Sequence, residues 1–383
     1  ILPHRVKLNA VTVSRDGASI ITVTNDAVVR IWGVKQLQTK DHRLGHRGAV
    51  WSVAAAPQQP LVASGGTDGT VRIWQIDYGS NPLRPCQGDV RAVAHAPQKP
   101  RVAVASTQGI TIWDSVRAVR VEHHERDYQV NDITFSPNGE QLIAACDHGV
   151  VEVFSRKDSS PSARDSQGWT TKTFHAHSRR VYSVDLDSAG RYLVTAGEDK
   201  MARIWDITHV PQERNVFRHT KRVLCARFST DDRWLYTACE DHVVRSWDRV
   251  HGVVRWSYDG HDGPVNWLAI SPDQSTLASA SSDKTVRLWN TESEKSLRVL
   301  EGPSQQVWKV TFTADGRRVL AVVGDGSVHI WDTESGETLS VLRGHTAAAW
   351  GISMSPHGTS FVTGGDDQHI RLWGMRAESL WSP

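Results

Sequence analysis

Apolar and polar residues alternate along most of the chain in short runs, and each run ends at a turn-forming pair. Gly260–Asn290 shows the scheme most fully. After a Gly-His pair come an alternating run, a Ser-Pro-Asp turn, a second run, a Ser-Asp turn and a third run ending at Trp289. A period of two, in runs rich in valine and isoleucine, predicts β-strands rather than helices. The same reading places strands near Asn9–Val13, Ile20–Thr24 and Val28–Trp32, with an outer strand through Gln36–Leu44. Almost no helix is expected.

The pattern recurs. Its third runs end at Trp32, Trp74, Trp113, Phe154, Trp205, Trp247, Trp289, Trp331 and Trp373, which define units 1 to 9. Successive spacings are 42, 39, 41, 51, 42, 42, 42 and 42 residues. Within the unit an Asp stands six residues before the aromatic: Asp26, Asp68, Asp199, Asp241, Asp283, Asp325 and Asp367. Six units also carry a hydroxyl, at Thr22, Ser64, Thr195, Thr237, Ser279 and Thr363, and a histidine, at His4, His46, His177, His219, His261 and His345. A turn Asp accepts N–H groups and orients an imidazole, the imidazole meets the hydroxyl, and the indole N–H of Trp32, Trp74, Trp205, Trp247, Trp289 or Trp373 supplies the last donor. Groups that satisfy one another in this way can be buried together.

This unit resembles the WD repeat, one blade of a β-propeller, and the resemblance covers nearly the whole chain. It implies an all-β fold of four-stranded antiparallel blades, with residues 1–383 as a single domain. Seven blades is the common number in that family. Nine units in one ring is the arrangement expected here, because leftover blades would expose faces and edges. The alternatives are a closed ring of seven or eight with extra blades stacked outside, and a longer precursor that holds a second propeller. Closure is expected from the termini, with Glu378–Ser382 forming most of a last outer strand that Ile1–Leu2 complete.

Three units lack the polar set. Unit 3 has Cys86, Ala103 and Thr107 at the histidine, hydroxyl and Asp positions; unit 8 has Pro303 and Ala321 at the first two. Unit 4 has Ala144, is shifted around Asp147-His148, and places Arg126 where the histidine belongs, after His123 and His124. These units are expected to hold mainly by packing, with looser turns.

Composition narrows the function. The chain has 383 residues and a formal charge of +2, with basic and acidic residues interspersed, so nucleic acid is not an expected partner. Cys86, Cys146, Cys225 and Cys239 show no C-x-x-C spacing and read as reduced, buried thiols of a cytoplasmic protein. No apolar run reaches membrane-spanning length, and no membrane partner is expected. The start at Ile1, inside a repeat, reads as a cut from a longer precursor.

No phosphate loop, nucleophile elbow or H-E-x-x-H motif occurs. His261, Ser279 and Asp283 look superficially like a catalytic triad, but a set repeated six times reads as a structural brace. His175 with His177, or His123 with His124, could meet a metal only as pairs without a cysteine partner. No catalytic residue, cofactor or metal is assigned. Arg30, Arg72, Arg203, Arg245, Arg287 and Arg371 recur two residues before the tryptophan and read as inter-strand or inter-blade ion-pair partners. Arg180, Arg222, Glu198 and Glu240 read as intra-blade ion pairs. The Ser-rich insertion between Phe154 and Trp169 reads as a surface loop, with docking or phosphorylation as its functional alternative.

One position varies from unit to unit: Asn9, Trp51, Arg91, Asn131, Tyr182, Leu224, Asn266, Trp308 and Trp350. In the family it opens onto the narrow top face, where partners are often contacted. Trp51, Trp308 and Trp350, with Tyr182 and Asn9, are the candidate partner-binding residues; the alternative is that the indoles pack between blades. The function expected is a non-catalytic protein–protein interaction scaffold that binds protein or peptide segments, as part of a larger chain or complex. Alternatives are a sensor or regulatory module of a larger signalling protein resembling signal-transduction ATPases, kinases or caspase-like proteases, and an enzyme with a channel site.

Overall fold

The computed structural model describes residues 7–13, 19–33, 39–43, 49–55, 61–68, 71–75, 81–83, 89–97, 99, 101–114, 119–156, 169–356, 358 and 360–374. Among these the elements are β-strands and one 3-10 turn, Asp147–Gly149. Units 3, 4, 5, 6 and 7 each form a four-stranded antiparallel sheet of consecutive strands. Their second strands are the deepest: every residue of Thr276–Ser281 is buried, as are five of six in Tyr192–Gly197.

The innermost strands run Val90–His95, Val130–Phe135, Val181–Leu186, Val223–Phe228, Val265–Ile270, Val307–Phe312 and Ala349–Met354. Each packs on the next, and the last packs on the first. All seven line one central cavity of about 460 Å³. The closing contact carries a hydrogen bond, His95 N–H to Ser353 Oγ at 3.1 Å. Units 3 to 9 therefore share one axis, and the expected ring of nine is corrected to seven, with units 1 and 2 outside it.

Closure also departs from expectation. The edge of Ile370–Gly374 in unit 9 is taken by Asn81–Leu83, the strand that follows unit 2. That leaves unit 2 as a three-stranded sheet among the described residues, while the outer strand of unit 1, Thr39–Arg43, pairs with Thr338–Arg343 of unit 8. Pro82 is tolerated in the closing strand because it lies on a sheet edge. Ile1–Leu2, Glu378–Ser382, Cys86 and most of the Ser-rich insertion lie outside the described residues.

The apolar core lies between blades. Val265, Leu268, Leu277 and Trp289 of unit 7 pack on Tyr236, Ala238, Val244 and Tyr258 of unit 6. On the other face of unit 7, Ala278, Ala280, Val286 and Leu288 pack on Val307, Val310, Phe312 and Trp331 of unit 8. Each sheet thus has two apolar faces, which is why its second strand reads as a near-continuous apolar run. Cys146, Cys225 and Cys239 are buried free thiols.

Candidate interaction surface

The brace assembles completely in units 5, 7 and 9. In unit 7 the His261 Nδ1 to Asp283 distance is 2.6 Å, Nε2 to Ser279 Oγ is 2.7 Å, and Trp289 Nε1 donates to the same oxygen at 2.8 Å. His177, Thr195, Asp199 and Trp205 repeat this geometry, as do His345, Thr363, Asp367 and Trp373. The carboxylate fixes the proton on Nδ1, so the hydroxyl donates to Nε2 and receives the indole N–H. Burial lowers the pKa of His177 and His345, and the carboxyls of Asp199, Asp283 and Asp367 are held well below the usual range, chiefly by hydrogen bonds from their histidines against the opposing effect of burial. Ser279, Thr195 and Thr363 are fully buried, so none of these hydroxyls can meet a substrate.

Unit 6 assembles only in part. His219 meets Thr237, which receives Trp247, but its Nδ1 faces the Phe217 carbonyl at 3.2 Å. Asp241 binds Thr220 and Arg245 instead. In unit 1 Trp32 donates to Thr22 at 2.7 Å, while Asp26 pairs with Arg30. Ser64 and Asp68 of unit 2 have polar partners; His4, His46 and the side chains of Arg72 and Trp74 lie outside what the structure describes.

The recurring arginines have a definite role. Arg30, Arg203, Arg245 and Arg371 pair with the turn Asp of their own unit, across the turn. Arg287 instead lies over the Trp289 ring, and Thr285 takes its place at Asp283.

Unit 4 corrects the expectation that the degenerate units hold mainly by packing. Arg126, at the histidine position, pairs at 3.0 Å with Glu152, which stands at the arginine position. Tyr128 donates to the same buried carboxylate, and the Arg126 guanidinium lies 5.4 Å from the centre of Phe154. The cation has moved to the histidine position and a carboxylate has taken the arginine position. Units 3 and 8 do lose the brace: Trp113 Nε1 has no partner, and Trp331 Nε1 reaches the Glu301 carbonyl at 3.2 Å.

The variable residue is the extra residue of a β-bulge in all nine units, for example between Val265 and Trp267 or Val307 and Lys309. A bulge leaves one residue out of the ladder and re-aims its side chain. Asparagine there straps neighbouring blades: Asn9, Asn131 and Asn266 donate to the carbonyls of Val50, Val181 and Val307 at 2.8, 2.9 and 2.9 Å.

Trp308 and Trp350, half-buried at the same address, lie against each other with ring centres 4.2 Å apart and planes tilted by 33°. Because unit 9 abuts unit 3, the Arg91 guanidinium lies 4.7 Å from the centre of Trp350 and 3.5 Å from Asp366. Trp51 is 54% exposed, on the sheet of unit 2 outside the ring, and is not brought to this run. Tyr182 is half-buried on unit 5.

Seven segments, 36–75, 117–155, 168–206, 212–248, 252–290, 294–332 and 336–374, match the family described as WD40: WD domain, G-beta repeat. The chain belongs to the WD40 family. The matched segments are units 2 and 4 to 9; the ring also needs unit 3, whose brace is gone. Similar proteins include THO complex subunit 3 of Arabidopsis thaliana, 25% identical over 54% of this chain and 64% of that protein. Eukaryotic translation initiation factor 3 subunit I of Homo sapiens is 22% identical over 55% and 66%. The WD repeat-containing protein AAC3 of Dictyostelium discoideum is 20% identical over 53% and 47%. The match spans less than two thirds of the length of each relative.

Other charges of the WD40 ring join blades. Arg180 pairs with Asp147 of unit 4 at 3.3 Å, and Arg222 lies 3.6 Å from Glu198 of unit 5 and 3.8 Å from Glu240 of its own unit. The expectation of purely intra-blade pairs is corrected accordingly. Inside the cavity, Asp132 of unit 4 meets Lys309 of unit 8 at 2.9 Å, across the axis. Lys309 Nζ and the Arg227 guanidinium also lie 3.6 and 4.3 Å from the centre of Trp267. Burial pushes Asp185, beside Arg227, up to about 6. Sequence reasoning missed this cluster. Its only signal was a charged residue at inward positions of otherwise apolar strands. Among the described residues no group of three or more His, Cys, Asp or Glu could hold a metal, and no helix is long and apolar enough to cross a membrane.

Proposed function

We propose that this WD40 ring is a non-catalytic docking platform and that a protein segment binds its top face across units 8, 9 and 3. The contacting pair Trp308–Trp350, extended by Arg91, is the observation that supports this reading. Three adjacent blades present two indoles and a guanidinium in one run, and Trp and Arg are enriched where partners bind. Two of the similar proteins are named as subunits of complexes, in keeping with a scaffold role. The asparagines at the same address, Asn9 among them, already bind a neighbouring blade and are not proposed as contacts.

The test is affinity capture from native lysate with the intact chain and with Trp308→Ala/Trp350→Ala. The expected result is loss of the captured partners with a melting curve near wild type. Unchanged capture, or a chain that no longer folds, refutes the reading.

A further inference from the structure

Unit 1 presents a bare face. In every blade of the ring, two residues of the innermost strand pack on the blade before it. In unit 7 they are Val265 and Leu268, set against Tyr236, Ala238 and Tyr258 of unit 6. The first of these positions is 0% exposed throughout the ring, at Val90, Val130, Val181, Val223, Val265, Val307 and Ala349. The second is never more than 7% exposed, the maximum being at Ile352. In unit 1 the same positions are Leu8 and Val11, which are 43% and 56% exposed. Val50, the first position of unit 2, is 0% exposed because unit 1 lies on it.

Unit 2 is incomplete on its other side. Its following strand, Asn81–Leu83, has gone to unit 9, and among the described residues Val71–Gln75 pairs only with Leu61–Gly66. The ring shows how such a gap is filled. Its last blade takes its outer strand from the chain that precedes its first blade.

We infer that units 1 and 2 are the last two blades of a second ring, and that a four-stranded blade from chain N-terminal to Ile1 covers Leu8 and Val11. The face repeats the residue types, spacing and bulge of seven covered faces in the same molecule, so the occupant that fits it is another blade. A second ring of the same size needs five more blades, about 210 residues at the period of this repeat. The inference is independent of the top-face reading.

The experiment compares hydrogen exchange of the Leu8–Val13 amides in the 1–383 chain and in the chain extended upstream to its natural start, with Val11→Lys in both. Further units of about 42 residues are expected upstream. The Leu8–Val13 amides should exchange at least tenfold more slowly in the extended chain, approaching those of Val265–Ile270. Val11→Lys should lower the melting temperature of the extended chain and leave that of 1–383 unchanged. The inference is overturned by an upstream sequence without the repeat, by equal exchange in the two chains, or by a dimer of the 1–383 chain that Val11→Lys dissociates. The last result assigns the face to a second copy.

Discussion

The guanidinium of Arg91 stands over the indole of Trp350, 4.7 Å from its centre, although the two residues lie near opposite ends of the described ring in sequence. Their meeting is the seam of the WD40 ring. Arg91→Ala removes this contact and the Asp366 pair, and is expected to cost about 0.5–1 kcal/mol, the usual worth of a partly exposed cation–π contact. Arg91→Lys should recover part of it. Thermal melting of the three chains checks the order.

The brace makes a sharper prediction. Thr363→Ala leaves His345 Nε2 and Trp373 Nε1 buried without their shared partner, which is expected to cost about 1–3 kcal/mol. Thr363→Ser keeps the oxygen and should cost much less. Urea unfolding that ranks the two variants equally would show that the methyl group, not the hydroxyl, is what matters.

Across the cavity, Lys309→Met removes one of the cations that face the buried Asp132, the other being Arg227 at 3.7 Å. Breaking one side of a buried pair is expected to destabilise by about 3–5 kcal/mol. Adding Asp132→Asn should restore much of the loss, because the uncompensated charge goes with it. A double-mutant cycle by urea unfolding measures the coupling.

The fold should weaken in acid. Burial lowers His95, His219 and His329 from 6.5 to about 4. The folded values lie below the unfolded one, so their contribution is fully present above pH 6.5 and is lost as pH falls through about 4. In that window each histidine adds a slope of up to about 1.4 kcal/mol per pH unit. Asp185 acts in the opposite sense: its folded value of about 6 lies above the unfolded one, so its contribution is present below about pH 4 and lost as pH rises through about 6. Three histidines outweigh one carboxyl, and the urea midpoint should fall between pH 6.5 and 4. His219→Gln should flatten that fall.

Local chemistry was legible residue by residue. Thr195, His177, Asp199 and Trp205 stand at spacings that the strand geometry converts into contacts, because a period of two and a fixed turn length leave little choice of register. The unit 4 substitute was half visible: Arg126 stood at the histidine position, but its partner Glu152, 26 residues on, carried no signal of its own. Unit 6 was less legible. All four residues are present, yet Asp241 takes the Thr220 hydroxyl while His219 Nδ1 faces the Phe217 carbonyl, and competition among partners depends on side-chain placement.

The sequence by itself determined the blade: its strands, the apolar faces that accept neighbours, and most of the polar groups that brace it. The tertiary structure alone decided that seven blades close and two remain outside, that Asn81–Leu83 seals unit 9, and that Arg91 rather than Trp51 joins the tryptophan pair. The reason is geometric. A sheet with two apolar faces can continue a stack indefinitely, so the number of blades is set by the rotation accumulated from one to the next, and no single unit encodes that sum.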